Sequence, residues 1–271
     1  MNIFIFGAGK VGRALHRAWK RAGHSVTLRP ARRGLPKSQI QADFVLLAVR
    51  DGDLAALAEA MRASRLLTKN AVCVHAAGAV DASPLAALRS ICRGVAQFHP
   101  MISFASTRSF PTLKGGHVHV KGDAAAVKRG RTLARSIGMT PRTFAKVETV
   151  GYHAAAGLVA NGAAALAALG QELLVRSGVP KADTIHMLGP LLRSVAENVE
   201  SLGFPDALTG PVRRGDAKGI TKQLGILNAR FPEAIPLFLE SARAQLPLAE
   251  ALKDAPKSAF MELRGVLDAV R

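Results

Sequence analysis

Three groups of residues in this 271-residue chain have types and spacings suited to chemistry. The first is Gly7-Ala8-Gly9-Lys10-Val11-Gly12, a G-x-G-x-x-G turn between a strand-like run at 2–6 and the helical pattern of Ala14, Leu15, Ala18 and Trp19. In that context Gly7 permits a tight turn, Gly9 lets a pyrophosphate approach the backbone, and Gly12 lets the helix pack against its strand. The N–H groups opening the helix then face phosphates. The second group stands at the ends of apolar runs: Ala48-Val49-Arg50-Asp51, His75-Ala76-Ala77-Gly78-Ala79 and Phe98-His99-Pro100-Met101. The third comprises His153, Gly157 and Asn161, spaced to share one helix face, and the loop Leu208-Thr209-Gly210-Pro211-Val212-Arg213-Arg214-Gly215-Asp216.

Each group implies a task. The glycine turn reads as a dinucleotide cradle, with Gly7, Ala8, Gly9, Lys10, Val11 and Gly12 as its contacts. The second strand ends at Leu28 and runs into Arg29-Pro30-Ala31-Arg32-Arg33, with no acid before Asp43. Sites for NAD place a carboxylate there for the ribose hydroxyls, whereas Arg accommodates the 2′-phosphate of NADP. Arg29, Arg32 and Arg33 therefore point to NADP. Ala48, Val49, Arg50, His75 and Gly78 fall beyond the carboxyl ends of strands, where cofactors lie in such sheets, and His99 falls there as a substrate neighbour. A neutral imidazole at His153 could serve as acid or base, with Asn161 orienting a small-molecule substrate. Thr209 and Arg214 could hold an anionic substrate group. Asp216 fixes their loop or simply caps the helix after it.

These residues need a scaffold, and the periodicity supplies one. Strand-like runs at 2–6, 24–28, 44–49, 71–75, 94–98, 117–120 and about 140–144 alternate with helical patterns at 10–22, 53–63, 82–91 and 123–137. That alternation predicts an α/β domain with a doubly wound parallel sheet. Past residue 147 the strand signals stop, and helices are expected at 148–176, 181–201, 216–228, 233–244 and 257–270. The expected organisation is a cofactor-binding domain at 1–147 and an all-α domain at 148–271.

Composition excludes several classes. Cys73 and Cys92 lack ligand-like spacing, so neither a disulfide framework nor a metal site is expected, and reduced thiols suit a cytoplasmic protein. No signal peptide is expected before the first strand. The apolar stretch 154–169 is alanine-rich, contains Asn161 and runs into Gln171 and Glu172, which reads as a buried helix, not a membrane span. The net charge of +18 is uneven: residues 1–146 hold 24 Lys and Arg against 6 Asp and Glu, and residues 147–271 hold 13 of each. Such a domain attracts polyanions. The cations are nevertheless scattered over helices with few aromatics between them, so nucleic acid is not expected as a specific partner.

The chain resembles the Rossmann-like oxidoreductases whose C-terminal helical region is the domain of unknown function 2520, relatives of the pyrroline-5-carboxylate reductase, hydroxyacid dehydrogenase and 6-phosphogluconate dehydrogenase group. The segments carrying the resemblance are the glycine turn, His75–Ala79, His99-Pro100, Tyr152-His153-Ala154-Ala155-Ala156 with Asn161, Asn198, and Thr209-Gly210-Pro211 with Arg214-Gly215-Asp216. It implies a Rossmann domain binding NADP, followed by an all-α domain like the 6-phosphogluconate dehydrogenase C-terminal domain that forms a homodimer. One departure stands out: similar proteins often carry hydroxyl residues where this chain has Ala76 and Ala77, which removes any hydroxyl-dependent contact there. The expected activity is hydride transfer between NADP and a small carbonyl, hydroxyl or imine compound. The alternative is an NADP-binding sensor or scaffold without turnover.

Overall fold

The computed structural model of the chain describes residues 1–270. It divides into two compact units, Met1–Ala160 and Asn161–Arg271.

The first unit is built on one seven-stranded sheet in the order β2-β1-β3-β4-β5-β6-β7. Its strands are β1 (Asn2–Phe6), β2 (Ser25–Arg29), β3 (Phe44–Leu47), β4 (Val72–His75), β5 (Gly94–Pro100), β6 (His117–Gly122) and β7 (Thr140–Arg142). Helices α1 (Lys10–Arg21), α2 (Leu54–Ala63) and α3 (Ala124–Ser136) connect them. The β3 residues are buried throughout, as a central strand covered on both faces requires. Separate apolar clusters form on the two faces, one including Leu47, Leu54 and Met61, the other Trp19, Phe44 and Phe98. Trp19, the only tryptophan, is fully buried. Its ring meets Phe44 and Phe98 at 5.7 and 5.9 Å, and its Nε1–H donates to the Leu133 carbonyl at 3.1 Å.

Two features depart from the sequence reading. Strand β6 runs antiparallel to β5 while the other pairings are parallel. Residues 101–116 between them form no crossover helix, so the chain turns back beside the strand it has just left. The helix expected at 82–91 is a 3₁₀ segment, Ser83–Ser90. Three residues per turn place Leu85 and Leu88 above one another, and both are buried.

The remaining chain is helical: α4 (Thr149–Arg176), α5 (Lys181–Leu202), α6 (Ala217–Arg230), α7 (Ile235–Leu252) and α8 (Lys257–Ala269). In the second unit Ile220, Leu224, Leu239, Leu246, Leu263 and Leu267 form the core, with Leu169 and Leu173 packed against it. Helix α7 continues eight residues beyond its expected end at 244. Pro247 lies inside it, removing one backbone donor without stopping the helix, and Lys253 ends it in the left-handed conformation. The expectation for 154–169 is corrected: no residue of α4 is buried. Among the described residues α4 is also the one helix long and apolar enough to cross a membrane by length and composition. Alanine repeats make every face of this helix apolar, so composition could not show how much of it one chain covers.

Candidate functional site

The glycine turn is shaped by close contacts. Gly7 has φ 115°, and a Cβ there would lie 2.2 Å from the Ala48 carbonyl oxygen. A Cβ on Gly12 would come within 2.0 Å of the Gly7 oxygen. Gly9 has nothing within 4 Å of its would-be Cβ, so its exposed face opens onto a cleft. It is also the N-cap of α1, with no side-chain cap and no acid in the first turn, which leaves the opening N–H groups free for an anion. The cleft has a volume of about 520 Å³ and is walled by Gly7, Ala8, Gly9, Ala48 and Val49, with Arg13, Arg32 and Arg50 as its cations and Asp53 as a carboxylate. A dinucleotide pyrophosphate fits this donor set.

The expected cofactor residues divide between this cleft and its supports. Ala48, Val49, Arg50 and Arg32 wall the cleft; Lys10, Val11, Gly12, Arg29, Arg33, His75 and Gly78 do not. Arg29 donates through Nε to the Gly34 carbonyl at 2.7 Å, and through Nη2 to the carbonyls of Arg33 at 2.8 Å and Leu35 at 3.3 Å. Its guanidinium thus pins the loop that presents Arg32. Arg13, which sequence reasoning passed over, braces the glycine turn by donating to the Ala8 carbonyl at 2.9 Å.

A second constellation in the same unit gathers four histidines and a tyrosine. His75 is fully buried at the end of β4, with Nε2 2.6 Å from the Asp81 carbonyl oxygen and Nδ1 unpartnered. Burial holds its pKa down, against the opposing pull of that carbonyl. Beside it the buried Gln97 donates through Nε2 to the carbonyls of Ala77 and Gly78 at 2.9 and 3.2 Å, fixing the turn after β4. A Cβ on Gly78 would lie 2.2 Å from Nδ1 of His153 and 2.6 Å from Nε2 of His99. Those two nitrogens therefore converge above the bare α-carbon of Gly78.

His99 pairs directly across the β5–β6 ladder with His119. Burial, with the charges of His153, His119 and His75, pushes the His99 pKa down to about 4. Its Nδ1 is buried without a partner. His119 is lowered too, chiefly by burial and then by Lys121. Its ring stacks on Phe144 at 5.7 Å and meets Tyr152 at 5.4 Å, and Tyr152 reaches His99 at 5.7 Å. His153 is exposed on the first turns of α4. The arrangement is an imidazole-rich polar surface, suited to hydrogen bonding and proton transfer. Among the described residues no group of His, Cys, Asp and Glu could hold a metal.

In the second unit Asn161 is exposed on α4. Arg213 and Arg214 have different tasks. Arg213 pairs with Asp254 at 2.6 Å and donates to the carbonyls of Asp206 and Leu208 at 3.1 and 2.7 Å, bracing its loop. Thr209 and Arg214 are exposed on the loop surface. Asp216 is the N-cap of α6, accepting from the Gly219 N–H at 2.8 Å.

Residues 117–251 match the family model described as Domain of unknown function (DUF2520). Solved structures share the fold across nearly the whole chain. A candidate NADP oxidoreductase of Bacteroides fragilis aligns at 20% identity and TM-score 0.71, over 91% of this chain and 98% of that one. The 1-pyrroline-5-carboxylate reductase of Streptococcus pyogenes aligns at 17% identity and TM-score 0.61, over 93% and 98%. The pyrroline carboxylate reductase of Plasmodium falciparum, solved with NADP bound, aligns at 11% identity and TM-score 0.60, over 98% of each chain. No curated protein matches the chain in sequence.

Proposed function

We propose that this Rossmann-like chain, with its DUF2520 domain, is an NADP-dependent oxidoreductase acting on a small carbonyl, hydroxyl or imine compound. The observation that carries the reading is the glycine cradle with Arg13, Arg32 and Arg50 around one cleft. It agrees with the NADP bound in the Plasmodium relative. When bound, NADPH supplies the hydride; the protein's task is to orient the substrate and manage a proton.

His153 is the acid/base residue of this proposal. The neighbouring His99 stays neutral near pH 7 and can offer a hydrogen bond beside it. Asn161 orients the substrate, and Thr209 with Arg214 holds its anionic group. The division of labour places the cofactor on residues 1–147 and the substrate and dimer surfaces on 148–271. The exposed apolar residues of α4 and α5, Leu158 and Leu191 among them, suit a second copy of the chain. The reduced state of Cys73 and Cys92 suits the cytoplasm.

The test joins binding and turnover. Calorimetry should show NADPH binding at least tenfold tighter than NADH, and a carbonyl and imine panel should reveal NADPH oxidation that His153→Gln abolishes. Tight NADPH binding without turnover across the panel would leave the sensor alternative standing, and equal affinity for NADH would remove the NADP assignment.

A further inference from the structure

Six of the first unit's cations, Arg13, Arg17, Lys20, Arg21, Arg108 and Lys114, are brought by the fold onto one track. On α1, Arg13, Arg17, Lys20 and Arg21 recur at three- and four-residue steps, so they line one exposed face. From Arg13 to Arg21 that stripe is about 12 Å long. Arg13 walls both the dinucleotide cleft and a neighbouring groove of about 530 Å³, which Arg17, Lys20 and Arg21 also wall. Arg17, Arg21 and Phe110 carry the surface on into a third groove of about 700 Å³, whose far wall holds Arg108 and Lys114. Ala14, Ala18 and Ala22 also line it, and its hydroxyls come from Ser109, Thr112 and Ser136. Neither of these two grooves has a carboxylate in its wall.

Ion pairs occur elsewhere in the chain. In the second unit Arg176, Arg213, Arg243 and Arg264 are each paired with Asp or Glu. Among the described residues, none of the α1 cations has such a pair; Arg17 instead lies over the Phe110 ring at 5.0 Å. Like charges spaced this way along a helix repel by a few tenths of a kcal/mol per pair. Their field also reaches His16 on the same helix, whose pKa is held down by burial and then by Lys20 and Arg13. A multiply charged anion laid along the track relieves this repulsion.

We propose that the α1 face and the groove beneath Phe110 bind the backbone of single-stranded nucleic acid. The track continues past the dinucleotide cleft through two further grooves, longer than a mononucleotide needs. Its cations recur along an axis, as the phosphates of an extended strand do. A partly buried aromatic ring, Phe110, stands in the same wall under the Arg17 guanidinium, whose plane offers a stacking surface beside a tracked backbone. Arginine forks and the hydroxyls supply phosphate contacts without reading sequence.

Fluorescence anisotropy with the full chain and a labelled 20-nucleotide oligouridine, between 50 and 300 mM KCl, tests the proposal. Three to four phosphate contacts predict a log–log salt slope of about −2 to −3. Lys20→Glu with Arg21→Glu should weaken binding at 50 mM salt more than tenfold and flatten the slope by about 1.4. Arg108→Ala with Lys114→Ala, on the opposite wall, should act in the same direction. Both double variants should fold, because all four side chains are exposed, with a small cost in the first from placing Glu at the C-terminus of α1. Variants that bind like the wild type, or a wild-type slope near zero, overturn the proposal. So does tripolyphosphate binding as tightly as the 20-mer, because the groove would then hold a small polyphosphate instead of a strand.

Discussion

The rings of His99 and His153 stand 5.5 Å apart with their planes crossed at 74°, and both present a nitrogen to the bare α-carbon of Gly78. One ring is nearly buried at a strand end and the other is exposed on a helix. The same two side chains thus join a neutral imidazole inside the sheet to one that faces solvent.

Burial of His99, helped by its histidine neighbours, gives stability a definite pH dependence. The His99 pKa is about 4 in the folded chain against an ordinary 6.5. Between those values the unfolded chain takes up a proton that folded His99 refuses, so stability rises with pH through this window. It is lost progressively as pH falls from 6.5 towards 4, by an upper bound of roughly 3 kcal/mol. Denaturant unfolding of the wild type and His99→Gln at pH 7.5, 5.5 and 4.5 checks this. The variant should lose less stability on acidification, with the remainder due partly to His75 and His119, whose pKa values are lowered in the same sense. Parallel curves for the two proteins would refute the assignment.

Gly78→Ala drives a methyl group into both imidazoles. His153 can swing outward, but nearly buried His99 has little room to move, so the overpacking should cost about 1–3 kcal/mol. NADPH affinity should stay within twofold, because Gly78 does not wall the dinucleotide cleft. Turnover of any substrate found should fall more than tenfold. Unchanged turnover would separate the histidine pair from the chemistry.

Arg29 and Arg32 should give opposite signatures. Arg32→Ala removes a cation from the cleft wall and should weaken NADPH by tenfold or more while leaving NADH nearly unaffected. Arg29→Ala frees three loop carbonyls, and its first effect should be a lower unfolding midpoint, with loss of NADPH preference following from a loosened loop. Isothermal titration with both dinucleotides, beside thermal melts, separates a phosphate ligand from a loop staple.

The apolar surface of α5 should make the chain self-associate. Leu191 and Val195 are 58% and 49% exposed one helical turn apart, and Leu202 is 57% exposed near the helix end. Light scattering coupled to gel filtration should report a dimer, and Leu191→Glu should shift it towards monomer. A wild-type chain that stays monomeric at about 100 micromolar would overturn this prediction.

The glycine cradle was legible because its pattern is local: a strand, a turn and a helix start lie within twelve residues, although Gly7 answers to Ala48 far along the chain. The cap made by Asp216 was legible for the same reason. The histidine cluster was harder to read. His119 joins it only because β6 runs antiparallel to β5, which sets it opposite His99, and nothing in the alternation of strands and helices announces that reversal. Gln97 escaped notice because its partners are backbone carbonyls about twenty residues away. Arg29 looked like a phosphate ligand because sequence shows a charge and not the carbonyls folded around it. The exposure of α4 was hidden by uniformity, since an alanine-rich helix gives no sign of which face is covered.

Trp19 turns the fold into its own optical probe. The sole indole lies in the core of the first unit, between Phe44 and Phe98 and hydrogen-bonded to the Leu133 carbonyl. Its emission should move to longer wavelength when that core admits water, and stay nearly silent if the second unit alone melts. Helical circular dichroism draws on both units. Where the fluorescence and ellipticity transitions coincide, the two units unfold together; where they part, the gap between the curves measures the independence of the helical unit.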